Sequence, residues 1–198
     1  MNEVVIIDSG GANLASLQYA LERLGSAVRV SADPVEIAAA PRVILPGVGS
    51  AADAMRRLHA RGLTECLPLL RQPVLGICLG MQLLYRRSEE GPTDCLGILP
   101  ETVRHLSATA ERPVPHMGWN QLLELADDPL LEGLRAGDYV YFVHSYAAPV
   151  SAATLARSRY GTEITAVVRH QNFWGTQFHP ERSARCGARL LANFLGLH

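Results

Sequence analysis

Apolar residues in the first half of the chain come as short runs separated by segments of helical period. Residues 4–7 form a β-branched run closed by Asp8 and Gly10-Gly11, which predicts a buried strand. Residues 13–24 carry Leu14, Leu17, Ala20, Leu21 and Leu24 at helical spacing, with Gly25 as the stop. The same reading predicts strands at 27–30, 42–45 and 74–77, and helices at 35–40, 51–59, 65–70 and 79–87. A glycine turn, "PGVGS", lies between the strand at 42–45 and the helix that follows it. Strands and helices alternating over short connections predict right-handed parallel crossovers. The fold class is therefore α/β, an open, mostly parallel doubly wound sheet with helices on both faces.

The pattern changes in the second half. Residues 103–106, 120–125, 139–143, 153–158, 165–169 and 173–178 read as strands joined mainly by turn residues, which predicts antiparallel additions to the sheet. Residues 186–195 predict a closing helix. With no internal repeat, linker or low-complexity segment, residues 1–198 are predicted to form one domain.

Composition narrows the function class without naming it. The chain is 48% hydrophobic and 19% charged with a formal net charge of −1, and it has no basic tail or acidic run. Neither nucleic acid nor a membrane surface is an expected partner. Asn2 and Glu3 stand where a signal peptide would be basic, so a cytoplasmic location is expected. Cys66, Cys78, Cys95 and Cys186 are scattered without C-x-x-C spacing and read as free thiols.

One of these thiols has an unusual setting. In "PVLGICLGMQLLYRRSEE" a strand ends at Cys78 between Gly76 and Gly80, and a helical segment begins at once. Small neighbours at a strand-to-helix corner let the backbone take a strained turn that lifts one side chain clear of the sheet. The positive end of the helix favours thiolate there, and the Leu79 N–H could stabilise an oxyanion. A thiol nucleophile needs a base and an orienting group. "GTQFHPERS" supplies His179 at a strand end with Glu181 two residues on, and Pro180 favours the extended form that turns both side chains the same way. His144 in "YFVHSY" is a rival base without a carboxylate at matched spacing. Gly47-Val48-Gly49 superficially matches a dinucleotide fingerprint, but no acidic residue ends the next strand. The loop could instead give a second N–H to an oxyanion. By composition alone Gln82 and Glu90 read as solvated surface, and Trp119 could equally be a core aromatic or a surface one.

Taken together, the cysteine corner, the preceding glycine loop and the distal His-x-Glu resemble the class I (triad) glutamine amidotransferases over almost the whole chain. "GICLGMQ" and "FHPE" are shared widely in that class. "PHMGWN" and "YFVHSY" narrow the resemblance to the glutaminase subunits of imidazole glycerol phosphate synthase. The resemblance implies Cys78 as nucleophile, His179 as proton shuttle and Glu181 as its orienter. It implies Gln82, Glu90 and the backbone of His144, Ser145 and Tyr146 as the glutamine site. Leu79 and the Gly47–Val48–Gly49 loop would form the oxyanion hole, a loop peptide flip being tied to the partner's state. Met117, Trp119, Asn120 and Arg182 would face the partner, a (β/α)8-barrel cyclase that receives ammonia through a channel. No metal or organic cofactor is implied. The two-chain reaction would convert phosphoribulosyl-formimino aminoimidazole carboxamide ribotide and glutamine into imidazole glycerol phosphate, aminoimidazole carboxamide ribotide and glutamate, in histidine biosynthesis. Ser9, Ala12, Ala51 and Arg182 depart from the commoner residues of this pattern. The competing readings are another class I amidotransferase or γ-glutamyl hydrolase, and a non-catalytic α/β module with a structural Cys78.

Overall fold

A computed structural model describes residues 3–10 and 14–197. Its first half follows the predicted alternation. β1 (Glu3–Ile7), α1 (Ala15–Arg23), β2 (Ala27–Ser31), α2 (Pro34–Ala39), β3 (Val43–Leu45), α3 (Ala51–Ala60), α4 (Leu63–Cys66), β4 (Val74–Ile77) and α5 (Leu79–Gln82) follow one another over short connections. Asn13, the predicted start of the first helix, lies outside the described residues. Asp33 caps α2 by accepting the Val35 N–H at 2.8 Å, and Ser50 caps α3 through the Asp53 N–H at 3.3 Å. Each such cap contributes about 1 kcal/mol to its helix.

The second half holds β5 (Tyr85–Ser88), β6 (Thr93–Asp94), β7 (Leu99–His105), β8 (His116–Gln121), β9 (Leu123–Leu125), β10 (Tyr139–His144) and β11 (Tyr146–Ala147). It closes with β12 (Thr154–Tyr160), β13 (Thr162–His170), β14 (Phe173–Thr176) and α6 (Ala184–Gly196). The main sheet runs β2-β1-β3-β4-β14-β13-β12-β9. Its first five strands are mutually parallel, and β13, β12 and β9 add antiparallel. Strands β11-β7-β5-β6 form a second sheet, and β10-β8 a two-stranded ribbon.

Strand periodicity divides the core between the two faces of the main sheet. Val4, Ile6, Ile44, Leu75 and Ile77 face α1 and α6, meeting Leu17, Leu21, Leu190 and Phe194. Val5, Ile7, Val43, Leu45 and Val74 face the other way, onto Ile37, Ala54, Leu58 and Leu63. Burial on both faces is why β3, β4 and the run from Val4 to Ile7 are apolar without interruption, whereas the edge strand β2 carries an exposed Arg29.

Three predicted elements are corrected. The helix at 79–87 is a single turn ending at Gln82, and the chain then joins β5. Tyr85 and Ser88 are buried while Arg86 and Arg87 are exposed, a spacing that helix and bulged strand both satisfy. Pairing with β6 and β7 decides it. The strand at 120–125 is two strands in two sheets, changing partners at the fully buried Leu122. The strand at 173–178 ends at Thr176.

Candidate active site

The C-terminal ends of β3, β4 and β14 lie side by side, with Leu45 opposite Gly76 and Thr176 opposite Ile77. The glycine loop, Cys78 and His179 leave from those three ends. Open α/β sheets bind ligands at that edge.

Cys78 takes φ 53° and ψ −110°, a conformation that costs a non-glycine residue on the order of 1–3 kcal/mol. Close packing holds it there. A Cβ on Gly80 would lie 1.8 Å from the Leu45 carbonyl oxygen, and one on Gly76 would lie 2.7 Å from that of Gly80. The Cys78 N–H completes the ladder to Thr176 O at 2.7 Å. The thiol donates to Val143 O at 3.7 Å and accepts from Gln177 Nε2 at 3.8 Å. Because α5 is only one turn long, its macrodipole is weaker than the predicted helix implied. An anion here would be met by the N–H groups themselves, and Leu79 N–H, first in the turn, has no intrahelical acceptor.

His179 and Glu181 meet as predicted, but by another route. Pro180–Arg182 is a 3₁₀ turn capped by His179, not an extended segment, and within it His179 Nδ1 is 2.8 Å from Glu181 Oε1. The turn is tied to β10: His179 N–H donates to Tyr141 O at 3.0 Å, and Ser183 Oγ donates to His179 O at 2.7 Å. Proline's fixed φ suits the first position of a helical turn as well as an extended strand.

Burial by itself would favour neutral imidazole at His179. Hydrogen bonds and charge from Cys78 and Glu181 outweigh it and carry the pKa from 6.5 up to about 10. A raised folded-state pKa stabilises the fold fully below the unfolded value of 6.5, and that contribution is lost as pH rises through about 10. Glu181→Gln removes one of the groups responsible. The variant is expected to be less stable than the parent at pH 6–7, with the gap closing towards pH 10, as measured by urea unfolding at several pH values. A gap independent of pH would contradict this origin.

A cleft of about 730 Å³ opens above the corner, and Cys78, His179 and Glu181 all reach it. Gly47, Val48 and Gly49 line one side with Leu79, so the loop and the first N–H of α5 share a wall. Glu90 also reaches the cleft, drawn in by the α3 N-terminus: its Oε2 accepts from Ala51 N–H at 2.7 Å. Gln82 is buried, donating from Nε2 to Tyr146 O at 2.7 Å and to Gln177 Oε1 at 3.0 Å. His144, Ser145 and Tyr146 also line the cleft.

His144 is unsuited as the rival base. Burial pushes its pKa down to about 3, its Nδ1 donates to Tyr146 O at 2.8 Å, and its Nε2 is engaged by His116 at 2.9 Å. On the ribbon, Met117 and Trp119 are 67% and 52% exposed beside Tyr139 at 54%, an apolar face open to solvent. Arg182 stacks over Tyr141 at 4.7 Å and lines the cleft mouth. Asn120 stands apart from this face: its amide donates to Arg159 O at 3.0 Å and to His116 Nε2 at 3.3 Å.

Two residues near the site are not singled out by the sequence, Gln177 and His116. Gln177 lies two positions before His179 in "GTQFHPERS", so alternation could have pointed to it. Nothing local distinguishes His116 from any histidine in a strand. Among the described residues, no group of three or more His, Cys, Asp or Glu side chains could hold a metal ion. No helix among them is long and apolar enough to cross a membrane.

Comparison with known proteins gives the chain's family and fold. The family model "Glutamine amidotransferase class-I" matches residues 5–196. The chain is 56% identical over 195 residues, 98% of each chain, to the imidazole glycerol phosphate synthase subunit HisH of Xanthomonas campestris pv. campestris (strain 8004). It is 54% identical with the same coverage to the HisH protein of Xylella fastidiosa (strain Temecula1 / ATCC 700964). A putative GMP synthase component from Thermoplasma acidophilum superposes with TM-score 0.77 at 19% identity, covering 98% of this chain and 92% of the other. A crystal structure of a glutamine amidotransferase gives TM-score 0.73 at 19% identity, covering 98% and 99%, and at such identities the likeness speaks for the fold. The chain belongs to the class I glutamine amidotransferases and, within them, to the HisH subunits of imidazole glycerol phosphate synthase.

Proposed function

We propose that the chain hydrolyses glutamine through a Cys78 thioester and passes the ammonia to a (β/α)8-barrel cyclase partner, as part of histidine biosynthesis in the cytoplasm, with residues 1–198 acting as one amidotransferase domain. The carrying observation is Cys78 at its positive-φ corner with His179 beside it and Glu181 2.8 Å from His179. The Cys78 thiolate attacks the carboxamide carbon, and the oxyanion is held by Leu79 N–H and the Gly47–Val48–Gly49 loop. The tetrahedral intermediate collapses as protonated His179 gives its proton to the departing nitrogen, leaving a thioester and ammonia. Neutral His179 then takes a proton from water, whose oxygen attacks the thioester. Glutamate leaves, and the thiolate and imidazolium are restored. Glu181 keeps His179 Nδ1 engaged so that Nε2 faces the sulfur.

Glu90 holds the substrate's amino group with the carboxylate oxygen not bonded to Ala51, and Gln82 with the His144–Tyr146 backbone bounds the pocket. The cyclase docks on Met117 and Trp119, with Arg182 at the rim of the cleft, which would let ammonia pass between chains without meeting solvent. The names of the 56% and 54% identical relatives support a role within a synthase of more than one chain.

The test is a glutaminase assay of this chain with and without a cyclase partner carrying its ligand. The chain alone is expected to be nearly inactive, with turnover appearing in the ligand-bound complex. Vigorous hydrolysis by the isolated chain would remove the partner dependence and favour a free-standing γ-glutamyl hydrolase.

A further inference from the structure

Behind the cleft wall runs a line of hydrogen bonds that the proposed chemistry does not use. His116 on β8 pairs directly with His144 on β10, and both rings are buried. His144 Nδ1 lies 2.8 Å from Tyr146 O, and His144 Nε2 lies 2.9 Å from His116 Nδ1. Asn120 Nδ2 lies 3.3 Å from His116 Nε2 and 3.0 Å from Arg159 O.

The carbonyls at the two ends fix every proton between them. A carbonyl oxygen only accepts, so His144 Nδ1 carries a proton. Burial pushes the pKa of His144 down to about 3 and that of His116 down to about 4, so both rings are neutral. His144 Nε2 therefore accepts, His116 Nδ1 donates, and His116 Nε2 accepts from the Asn120 amide. The same logic continues on the cleft side. Tyr146 O also accepts from Gln82 Nε2 at 2.7 Å, and Gln82 donates to Gln177 Oε1 at 3.0 Å. That leaves the Gln177 NH2 group facing Cys78 Sγ at 3.8 Å. One connected network, its proton positions fixed throughout, thus links Asn120 to the nucleophile. His116 is held in its middle by stacking, with its ring between Tyr160 at 4.0 Å and Phe142 at 4.8 Å.

We propose that His116 is a positioning residue: by donating from Nδ1 to Nε2 it locks the His144 ring in the Nδ1–H tautomer that the Tyr146 carbonyl also selects, and His144 in turn holds the Tyr146 carbonyl and the 144–146 wall where glutamine binds. The second half of this statement rests on the glutaminase reading. The tautomer lock itself does not.

Two substitutions separate positioning from packing. His116→Phe keeps an aromatic ring in the stack but removes the donor. His116→Asn loses the stack but offers an amide N–H near the position of Nδ1. A packing role ranks Asn as the worse variant in both stability and activity. The positioning role reverses the order for activity alone. In the complex with cyclase, His116→Phe is expected to raise the glutamine KM about 3- to 10-fold with kcat nearly unchanged, the scale of one lost neutral hydrogen bond. His116→Asn is expected to return KM towards the parent value despite a lower Tm. A KM for Asn no better than that for Phe overturns the proposal.

Nitrogen-15 NMR of the histidine rings gives an independent readout. The parent should show Nδ1–H at both His116 and His144, and His116→Phe should leave Nδ1–H at His144 on the Tyr146 carbonyl while shifting its Nε2 resonance towards that of a nitrogen that accepts no hydrogen bond. Nε2–H at His144 in the parent overturns the proposal whatever the kinetics. A parent complex that turns over no glutamine would sink the glutaminase reading instead, and the ring nitrogens would then decide the tautomer lock by themselves.

Discussion

Cys78→Ala is expected to abolish glutamine-dependent synthesis by the complex while leaving synthesis from added ammonium salt intact. Loss of a nucleophile that works with a base as one unit costs roughly 10⁴- to 10⁶-fold, because the acyl intermediate is formed on that nucleophile. On the proposed reading ammonia enters downstream of that step, so synthesis from added ammonia has no need of the thiol. The substitution has a second consequence that needs no turnover. Hydrogen bonding and charge from Cys78 help to raise the His179 pKa against its burial. In Cys78→Ala the imidazole is therefore expected to titrate well below about 10, as followed by NMR. Retained glutamine-dependent turnover would refute Cys78 as the nucleophile. An unmoved His179 pKa would show that Glu181 holds the charge unaided.

Gly80→Ala is expected to have the largest effect on stability. Its Cβ would sit 1.8 Å from the oxygen and 2.8 Å from the carbon of the Leu45 carbonyl, both backbone atoms of a fully buried residue. No rotamer change relieves that overlap. Either α5 lifts from β3 or the strand shifts, at about 3 kcal/mol or more. Lifting α5 also moves Leu79 N–H away from the Gly47–Val48–Gly49 loop, so any folded fraction should lose glutaminase activity too. Gly196→Ala is the control: nothing lies within 4 Å of its added Cβ, and its φ is not positive. Chemical denaturation of the two variants decides the matter, since equal losses would remove the close-approach account of the corner.

The two halves of the molecule differ in how openly their sequence declares them. In the parallel half the inner strands β1, β3 and β4 are covered on both faces by crossovers, so apolar runs and helical periods name the elements with few competitors. The second half is made of strands whose identity depends on distant partners. The "LLYRRS" segment satisfies a helix as well as a strand, and only β6 and β7, reached later in the chain, select the strand. The stretch at 120–125 reads as one strand because nothing local announces that the chain changes sheets at Leu122.

The site divides along the same line. Cys78 between small glycines, and a histidine two residues from a carboxylate, are short-range facts, because the turn at Cys78 and the His179–Glu181 pair each lie within a few residues, although Leu45 on β3 is what Gly80 packs against. They could be read as chemistry before any fold was known. Even there the local route was ambiguous, since Pro180 is compatible with the extended chain expected and with the 3₁₀ turn found. Glu90 shows the opposite case. Within its own charged run it reads as surface, and it belongs to the cleft because α3, far away in sequence, offers it the Ala51 N–H at 2.7 Å.

The amino-acid order alone therefore settled the parallel α/β core and named the residues proposed to do the chemistry, since both depend on periodicity and on neighbours a turn or two away. Folding in three dimensions settled which histidine faces the thiol, which way the protons point between Asn120 and Gln177, and which side of the β8 strand meets solvent. Those are matters of register between strands remote in the chain. A shift of one residue in the pairing of β8 with β10 would part His116 from His144 and turn Trp119 inward.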